Sequence, residues 1–259
     1  MIVNEIFYSL QGEGFLAGVP SVFIRVAGCP LRCRWCDTKY AQEAQAGTEY
    51  DINEIVRAVG KWRCRHIVIT GGEPMVNDGL PQLARELKAA GKHITIETAG
   101  IAYIPDMPCD LMSISPKLSN STPTTEDSPK GRERQKSEGR RQKTEGRSLA
   151  PTPVVGAGPT DLRGKKFSGP DIAVLRELIA NYDYQLKFVV DSVNDLPEIQ
   201  ETLDRIEDVD LEKVMLMPQA ADKDTLLAKS PVVAEMCKMV GFAFSQRLQI
   251  LLWNNQRGK

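Results

Sequence analysis

The chain has 259 residues, 42% of them hydrophobic, and 33 basic against 34 acidic residues give a formal net charge of -1. That size and apolar content support a real core in one large or two small domains, and the charge balance makes neither nucleic acid nor an anionic surface the main partner. Met1-Ile2-Val3-Asn4-Glu5-Ile6 carries an early acid and no basic stretch, and no apolar run reaches spanning length, so neither signal peptide nor membrane segment is predicted and the cytoplasm is expected.

In chain order, β-branched runs at 21–27, 66–70, 93–98, 111–115, 185–190, 213–217 and 247–253 read as strands. Stretches of helical period separate several of them. Ile52, Ile55, Val56 and Val59 form one apolar stripe, opened by Asp51 and Glu54 as a capping box. Leu80, Leu83, Ala84 and Leu87 form the next, followed by Leu175, Leu178 and Ile179, then Leu196, Ile199, Leu203 and Ile206. Strand–helix alternation predicts an α/β fold with a parallel sheet and crossover helices. Some six strands rather than eight suggest an open or partial (βα) barrel.

Several strands end in polar or glycine-rich turns. The strand 66–70 runs into Gly71-Gly72-Glu73-Pro74, 93–98 ends in Glu97-Thr98-Ala99-Gly100, 111–115 in Ser115-Pro116-Lys117, and 213–217 in Pro218-Gln219. The working face of such folds lies at the carboxyl ends of the strands, so these turns are expected to share one rim. His66 and His93 begin strands at the opposite end and are assigned to structure.

Cys29, Cys33 and Cys36 follow the strand 21–27 at C-x3-C-x2-C spacing. Iron–sulfur clusters are usually held by four thiolates, so three of them can grip three irons of a cubane and leave the fourth open to a small molecule. A zinc site would want a fourth Cys or His nearby, and only His66 and His93 exist. Disulfides need neither this crowding nor this chain length. Cys64, Cys109 and Cys237 are scattered and read as buried structural thiols.

The cysteine loop, with Trp35 before its last thiol, resembles that of the radical S-adenosylmethionine (SAM) superfamily, and Gly71-Gly72-Glu73-Pro74 resembles the superfamily's second motif. Residues 5–14 (EIFYSLQGEG), 20–25 (PSVFIR), Asp37-Thr38, 115–119 (SPKLS), Met217-Pro218-Gln219 and 247–253 (RLQILLW) are similar to the 7-carboxy-7-deazaguanine synthase family. The likeness covers nearly all the chain outside a low-complexity insertion. It implies an incomplete (βα)6-type barrel, a [4Fe–4S] cluster, SAM split at its sulfonium to a 5′-deoxyadenosyl radical, Mg2+, a homodimer and an electron donor such as flavodoxin or ferredoxin. The implied reaction converts 6-carboxy-5,6,7,8-tetrahydropterin to 7-carboxy-7-deazaguanine with loss of ammonia, on the route to queuosine.

The resemblance also implies roles for residues. Leu10, Gln11 and Gly12, with Glu13 nearby, would grip the pterin edge, and Thr70 would line its pocket. Arg25 would fork onto the substrate carboxylate, a contact that Lys could not reproduce. Thr38 would offer its hydroxyl to Mg2+, an ion that prefers oxygen ligands. Trp35, Cys36 and Asp37 would lie beside SAM, whose site Gly72, Glu73, Ser115, Pro116, Lys117 and Gln219 would complete; glycine there lets backbone approach a ligand closely.

From 119 to 166 the chain turns to Ser, Thr, Pro, Gly, Lys, Arg and Glu, with the tandem heptad RQKSEGR-RQKTEGR at 134–147. Such a segment buries too little apolar area to offset its ordering entropy, so a disordered insertion within a single domain (1–118 and 167–259) is expected. Its basic residues leave open an RNA-tethering arm. The residues also admit a different radical SAM enzyme, such as a glycyl-radical activase, or an iron–sulfur electron-transfer protein. The activase would not require Gln11, Arg25 and Thr38 together, and the relay would supply a fourth cysteine ligand.

Overall fold

The computed structural model describes residues 1–123, 169–254 and 256–259. Within them nine strands form one sheet in the order β3-β1-β2-β4-β5-β6-β7-β8-β9. The strands are β1 (Ile2–Leu10), β2 (Pro20–Val26), β3 (Thr48–Glu49), β4 (His66–Gly71), β5 (His93–Thr98), β6 (Leu111–Ile114), β7 (Tyr184–Val190), β8 (Val214–Pro218) and β9 (Ala243–Phe244). From β2 through β9 every pairing is parallel, while β1 pairs antiparallel with β2 and β3. The expected α/β partial barrel with six long parallel strands is thus present, widened by β1 and two short edge strands.

Each parallel strand alternates strictly. Val22, Ile24, Val26, Ile67, Ile69, Ile94, Ile96, Met112, Ile114, Leu186, Phe188, Val190, Val214 and Leu216 face one buried core. Against them pack α1 (Ile52–Val59), α2 (Leu80–Ala89), α3 (Ile172–Asn181), α4 (Leu196–Ile206) and α5 (Lys223–Val240). Because the side-chain period of a strand is two, the residues between these point the other way. That second face carries Arg25, Thr70, Glu97, Lys187 and Met217, all of which line a single cavity. One parity builds the core and the other builds the site.

The four periodic helices appear where their stripes place them, and Asp51 and Glu54 form both halves of the capping box. Besides β1, β3 and β9, which were not among the expected strands, two helical elements differ from expectation. Residues 247–253 form helix α6 (Leu248–Trp253) rather than a strand, since a short apolar run without alternation suits either state. Helix α5 carries Pro231 and exposes Leu227, Val232 and Met239, which blurs any apolar stripe. Among the described residues no helix is long and apolar enough to cross a membrane.

The expected disordered insertion lies outside the described residues, except for 119–123. There Ser119–Ser121 make a 3-10 turn, and the Ser119 amide and hydroxyl donate to Glu198 on α4 at 2.8 and 2.5 Å. The chain therefore stays tied to the core beyond residue 118.

At the carboxyl end of β4, Gly71 adopts φ +132°, and a Cβ there would meet the Val26 carbonyl oxygen at 2.2 Å. A Cβ on Gly72 would lie 2.0 Å from the Gly28 oxygen. The pair is needed for packing against the end of β2. Two bonds exploit the close approach, Gly72 N–H to Val26 O at 2.9 Å and Glu73 N–H to Gly28 O at 2.8 Å. Gly72→Ala is expected to destabilise the fold by about 1–3 kcal/mol, as overpacking does. Gly60→Ala, whose nearest neighbour lies at 3.4 Å, is expected to change stability by less than about 1 kcal/mol. Chemical denaturation of both variants checks the contrast.

Candidate active site

A cavity of about 300 Å3 opens at the carboxyl ends of the strands. Leu10, Gln11, Gly12, Glu13, Arg25, Cys29, Cys33, Trp35, Cys36, Asp37, Thr38, Thr70, Gly72, Glu73, Ser115, Lys117 and Gln219 all line it. Of the residues singled out from sequence, Pro116 alone does not; it is buried behind the wall. Cys64, Cys109 and Cys237 lie elsewhere as free thiols, with Cys64 bonded to the Pro20 carbonyl at 3.2 Å. His66 and His93 sit side by side at the opposite strand ends, ring centres 4.6 Å apart, with no part in the cavity.

The cysteine loop is held at both ends by backbone. Gly28 and Cys29 donate to Ala41 and Gln42 oxygens at 2.9 Å each, and Arg34 N–H bonds Ser121 O at 2.8 Å. Burial pushes the Cys29 thiol up to about 12, with the Glu73 charge adding to the shift, and burial likewise raises Cys33. Thiols so placed stay protonated on their own and ionise once a cationic centre binds them. Three thiols from one loop facing one cavity, with no fourth cysteine beside them, fit a cluster held by three ligands. Among the described residues no three His, Cys, Asp or Glu groups are gathered as a site for a bare metal ion.

Around this loop several side chains are already engaged. Glu73 is 1% exposed, and its carboxylate accepts from Thr98 Oγ1 at 2.7 Å, Ala99 N at 2.7 Å and Met75 N at 3.1 Å. Burial still raises its carboxyl above the usual range. Its side chain therefore braces the turn that carries Gly72 while it lines the cavity. Lys117 turns inward and donates to Ser115 Oγ at 2.8 Å. Thr38 Oγ1 lies 3.4 Å from Gly71 O. Arg25 donates through Nε to Glu5 at 2.7 Å, with both side chains 14% exposed, and sits over the Phe7 and Tyr40 rings. This salt bridge is internal and engages the guanidinium through Nε.

Two residues to which the sequence assigns no role complete the far wall, Lys187 from β7 and Arg247 before α6. Lys187 is fully buried; its Nζ donates to Glu97 at 2.8 Å and Glu13 at 3.1 Å. Arg247 Nε reaches Glu13 at 3.3 Å and its Nη2 reaches Asp37 at 2.6 Å, while Nη1 bonds the Ala220 carbonyl. Burial pulls the Glu13 carboxyl up, but Lys187 and Arg247 more than offset it and hold it down at about 2. Burial likewise opposes the charge on Lys187, and the two carboxylates prevail and raise it. The signal for Lys187 was in its parity: a lysine at an inward position, beside Gln185, of a mostly apolar strand, YQLKFVV.

Glu13 thus contributes stability that is full above its ordinary value of 4.5 and is lost as pH falls toward about 2. The stability difference between wild type and Glu13→Gln should stay constant above about pH 5 and close toward about pH 2, read from thermal unfolding across that range. Lys187→Met, which leaves Glu97 without a cation and Glu13 with Arg247 alone, should cost about 3–5 kcal/mol at neutral pH.

Residues 23–122 match the family described as the Radical SAM superfamily. The chain is 38% identical over 259 residues to a 7-carboxy-7-deazaguanine synthase of Rhodopirellula baltica, covering 100% of this chain and 88% of that one. It is also 38% identical over 259 residues to one of Halobacterium salinarum, covering 98% and 90%. The crystal structure of QueE from Escherichia coli superposes with a TM-score of 0.62 at 25% identity, over 94% of this chain and 92% of that one. With the three-cysteine loop and the partial barrel, this full-length likeness places the chain in the radical SAM superfamily and, within it, in the 7-carboxy-7-deazaguanine synthase family.

Proposed function

We propose that the chain is a lyase that contracts the ring of 6-carboxy-5,6,7,8-tetrahydropterin to 7-carboxy-7-deazaguanine with loss of ammonia, in queuosine and 7-deazapurine biosynthesis. The observation that carries this is the meeting of two motif sets in one cavity: Cys29, Cys33 and Cys36 with Gln11, Arg25 and Thr38. An activase would need only the first set, and an electron relay would want a fourth cysteine.

When bound, a [4Fe–4S] cluster with SAM supplies radical hydrogen abstraction from the pterin and recovers SAM afterwards. The three cysteines hold the cluster. Trp35, Cys36, Asp37, Gly72, Glu73, Ser115, Lys117 and Gln219 form the wall for SAM, with Pro116 behind them. Arg25 keeps Nε on Glu5 and offers its terminal amino groups to the substrate carboxylate. Leu10, Gln11, Gly12 and Thr70 border the ring, with Glu13 behind them. Thr38 would offer its hydroxyl oxygen to Mg2+, an ion that prefers oxygen ligands. Enclosure by the rim excludes water from the reacting carbons. The site works in a cytoplasmic homodimer and draws its electron from a flavodoxin or ferredoxin.

Anaerobic reconstitution with iron and sulfide, then incubation with SAM, a reductant and the carboxytetrahydropterin, should yield the deazaguanine product by mass spectrometry. A fully loaded cluster that makes no product would sink the assignment. Cys33→Ala should abolish both the cluster absorbance and turnover. Arg25→Lys should raise KM about tenfold or more, with a smaller effect on kcat.

A further inference from the structure

Gln219 lines the cavity just beyond β8, while Lys229 of α5 stands outside the cavity and donates through Nζ to Gln219 Oε1 at 3.0 Å. We propose that Lys229 is a positioning residue for SAM: it turns the Gln219 amide so that its N–H groups, and not its oxygen, meet the cofactor. This rests on the radical SAM reading of the cavity, with Gln219 in the wall for SAM.

A primary amide has two ends of opposite character, an oxygen that accepts and an NH2 group that donates twice. Its neighbours decide which end a ligand meets. Lys229 can only donate, so the end of Gln219 that faces it has to be the oxygen. Nε2 then keeps both of its N–H groups, and among the described residues no acceptor takes either. The Gln219 backbone is fixed as well, its N–H bonded to Val190 O at 2.8 Å. Only the side-chain torsions are left to set, and Lys229 sets them. SAM carries acceptors in its carboxylate, its ribose and its adenine ring, so an NH2 group in its wall has a partner to meet.

The place of Lys229 on α5 is not that of a solvent lysine. Leu226, Val233, Met236 and Cys237 are buried on this helix, and Lys229 falls on their stripe, three residues after Leu226 and four before Val233. Its side chain is accordingly only 28% exposed. Asp191, the residue after β7, pairs with the same ammonium, so the lysine adds no unanswered charge beside a cationic sulfonium. Asp191 itself is 49% exposed, and loss of the lysine strands no buried carboxylate. A lysine that merely tied α5 to Asp191 would act on stability and leave SAM affinity alone.

The test measures SAM binding to the full chain with its cluster reconstituted, by anaerobic calorimetry and without turnover. Lys229→Met, which frees the amide to turn over, should weaken SAM binding about three- to tenfold, the usual worth of one hydrogen bond. Lys229→Arg, again a pure donor, should stay within about threefold of wild type. Gln219→Met keeps the length of the side chain without its N–H groups and should cost about threefold or more. Within Gln219→Met, adding Lys229→Met should change SAM affinity by less than about twofold, because the pair acts as one unit. Lys229→Met with wild-type affinity overturns the inference, and so does a Lys229→Met effect that persists in full without Gln219. A Gln219→Met protein that binds SAM like wild type also overturns it, and that result needs no change at Lys229. A wild type with a loaded cluster and no affinity for SAM would instead overturn the cofactor reading beneath it.

Discussion

The Lys187 ammonium, buried between Glu13 and Glu97, is the contact on which the architecture turns. β1 and β7 are five places apart in the sheet, which in a flat sheet would separate them by roughly 24 Å. Yet the loop after β1 delivers Glu13 to Lys187, and the Phe15 amide to Gln185 on the same strand at 2.8 Å. The sheet must curl for these bonds to form. Its inner face then becomes a cavity, although among the described residues no strand-to-strand pairing closes the ring. Ion pairs and loop bonds do what an eight-stranded barrel does with hydrogen-bonded strands. A fully buried lysine costs much free energy unless both its partners are in place, so the seam is specified as well as stabilised.

The same curl brings the chain's distant parts onto one rim. The Leu248 amide bonds the Gly12 carbonyl at 2.9 Å, and Arg247 ties Glu13 to Asp37 just beyond the last cluster cysteine. Residues near 12, 37, 97, 187 and 247 thus form one connected polar wall. Within it two cations face three carboxylates, and Lys187 and Arg247 hold Glu13 in its charged state. A site that must confine a radical gains from such a wall, because few of its groups are free to move.

The cysteine loop depends on a second constraint, the bare backbone contact between Gly71-Gly72 and the strand end at Val26 and Gly28. The two motifs of the superfamily are therefore one mechanical unit. The glycines lock the end of β4 to the root of the cysteine loop, and Glu73 locks the same turn to Thr98 and Ala99.

Much of this was legible in the residues. Runs rich in β-branched and apolar residues marked β2, β4, β5, β7 and β8 as strands, and the 3.6-residue stripes marked four helices, because a helix stripe reflects burial on one face. The C-x3-C-x2-C spacing determined the cluster chemistry, since ligand count needs no tertiary information. Even the inward parity of Glu97 and Lys187 was written in the strands. Tertiary structure alone decided who meets whom. Residues 247–253 are apolar enough for either state, and their return to the mouth selects a helix. Glu73 serves the turn, Arg25 shares itself with Glu5, and Glu13 finds a lysine 174 residues away. Such pairings depend on how a sheet curls, and that is a property of the packed whole rather than of any local run of sequence.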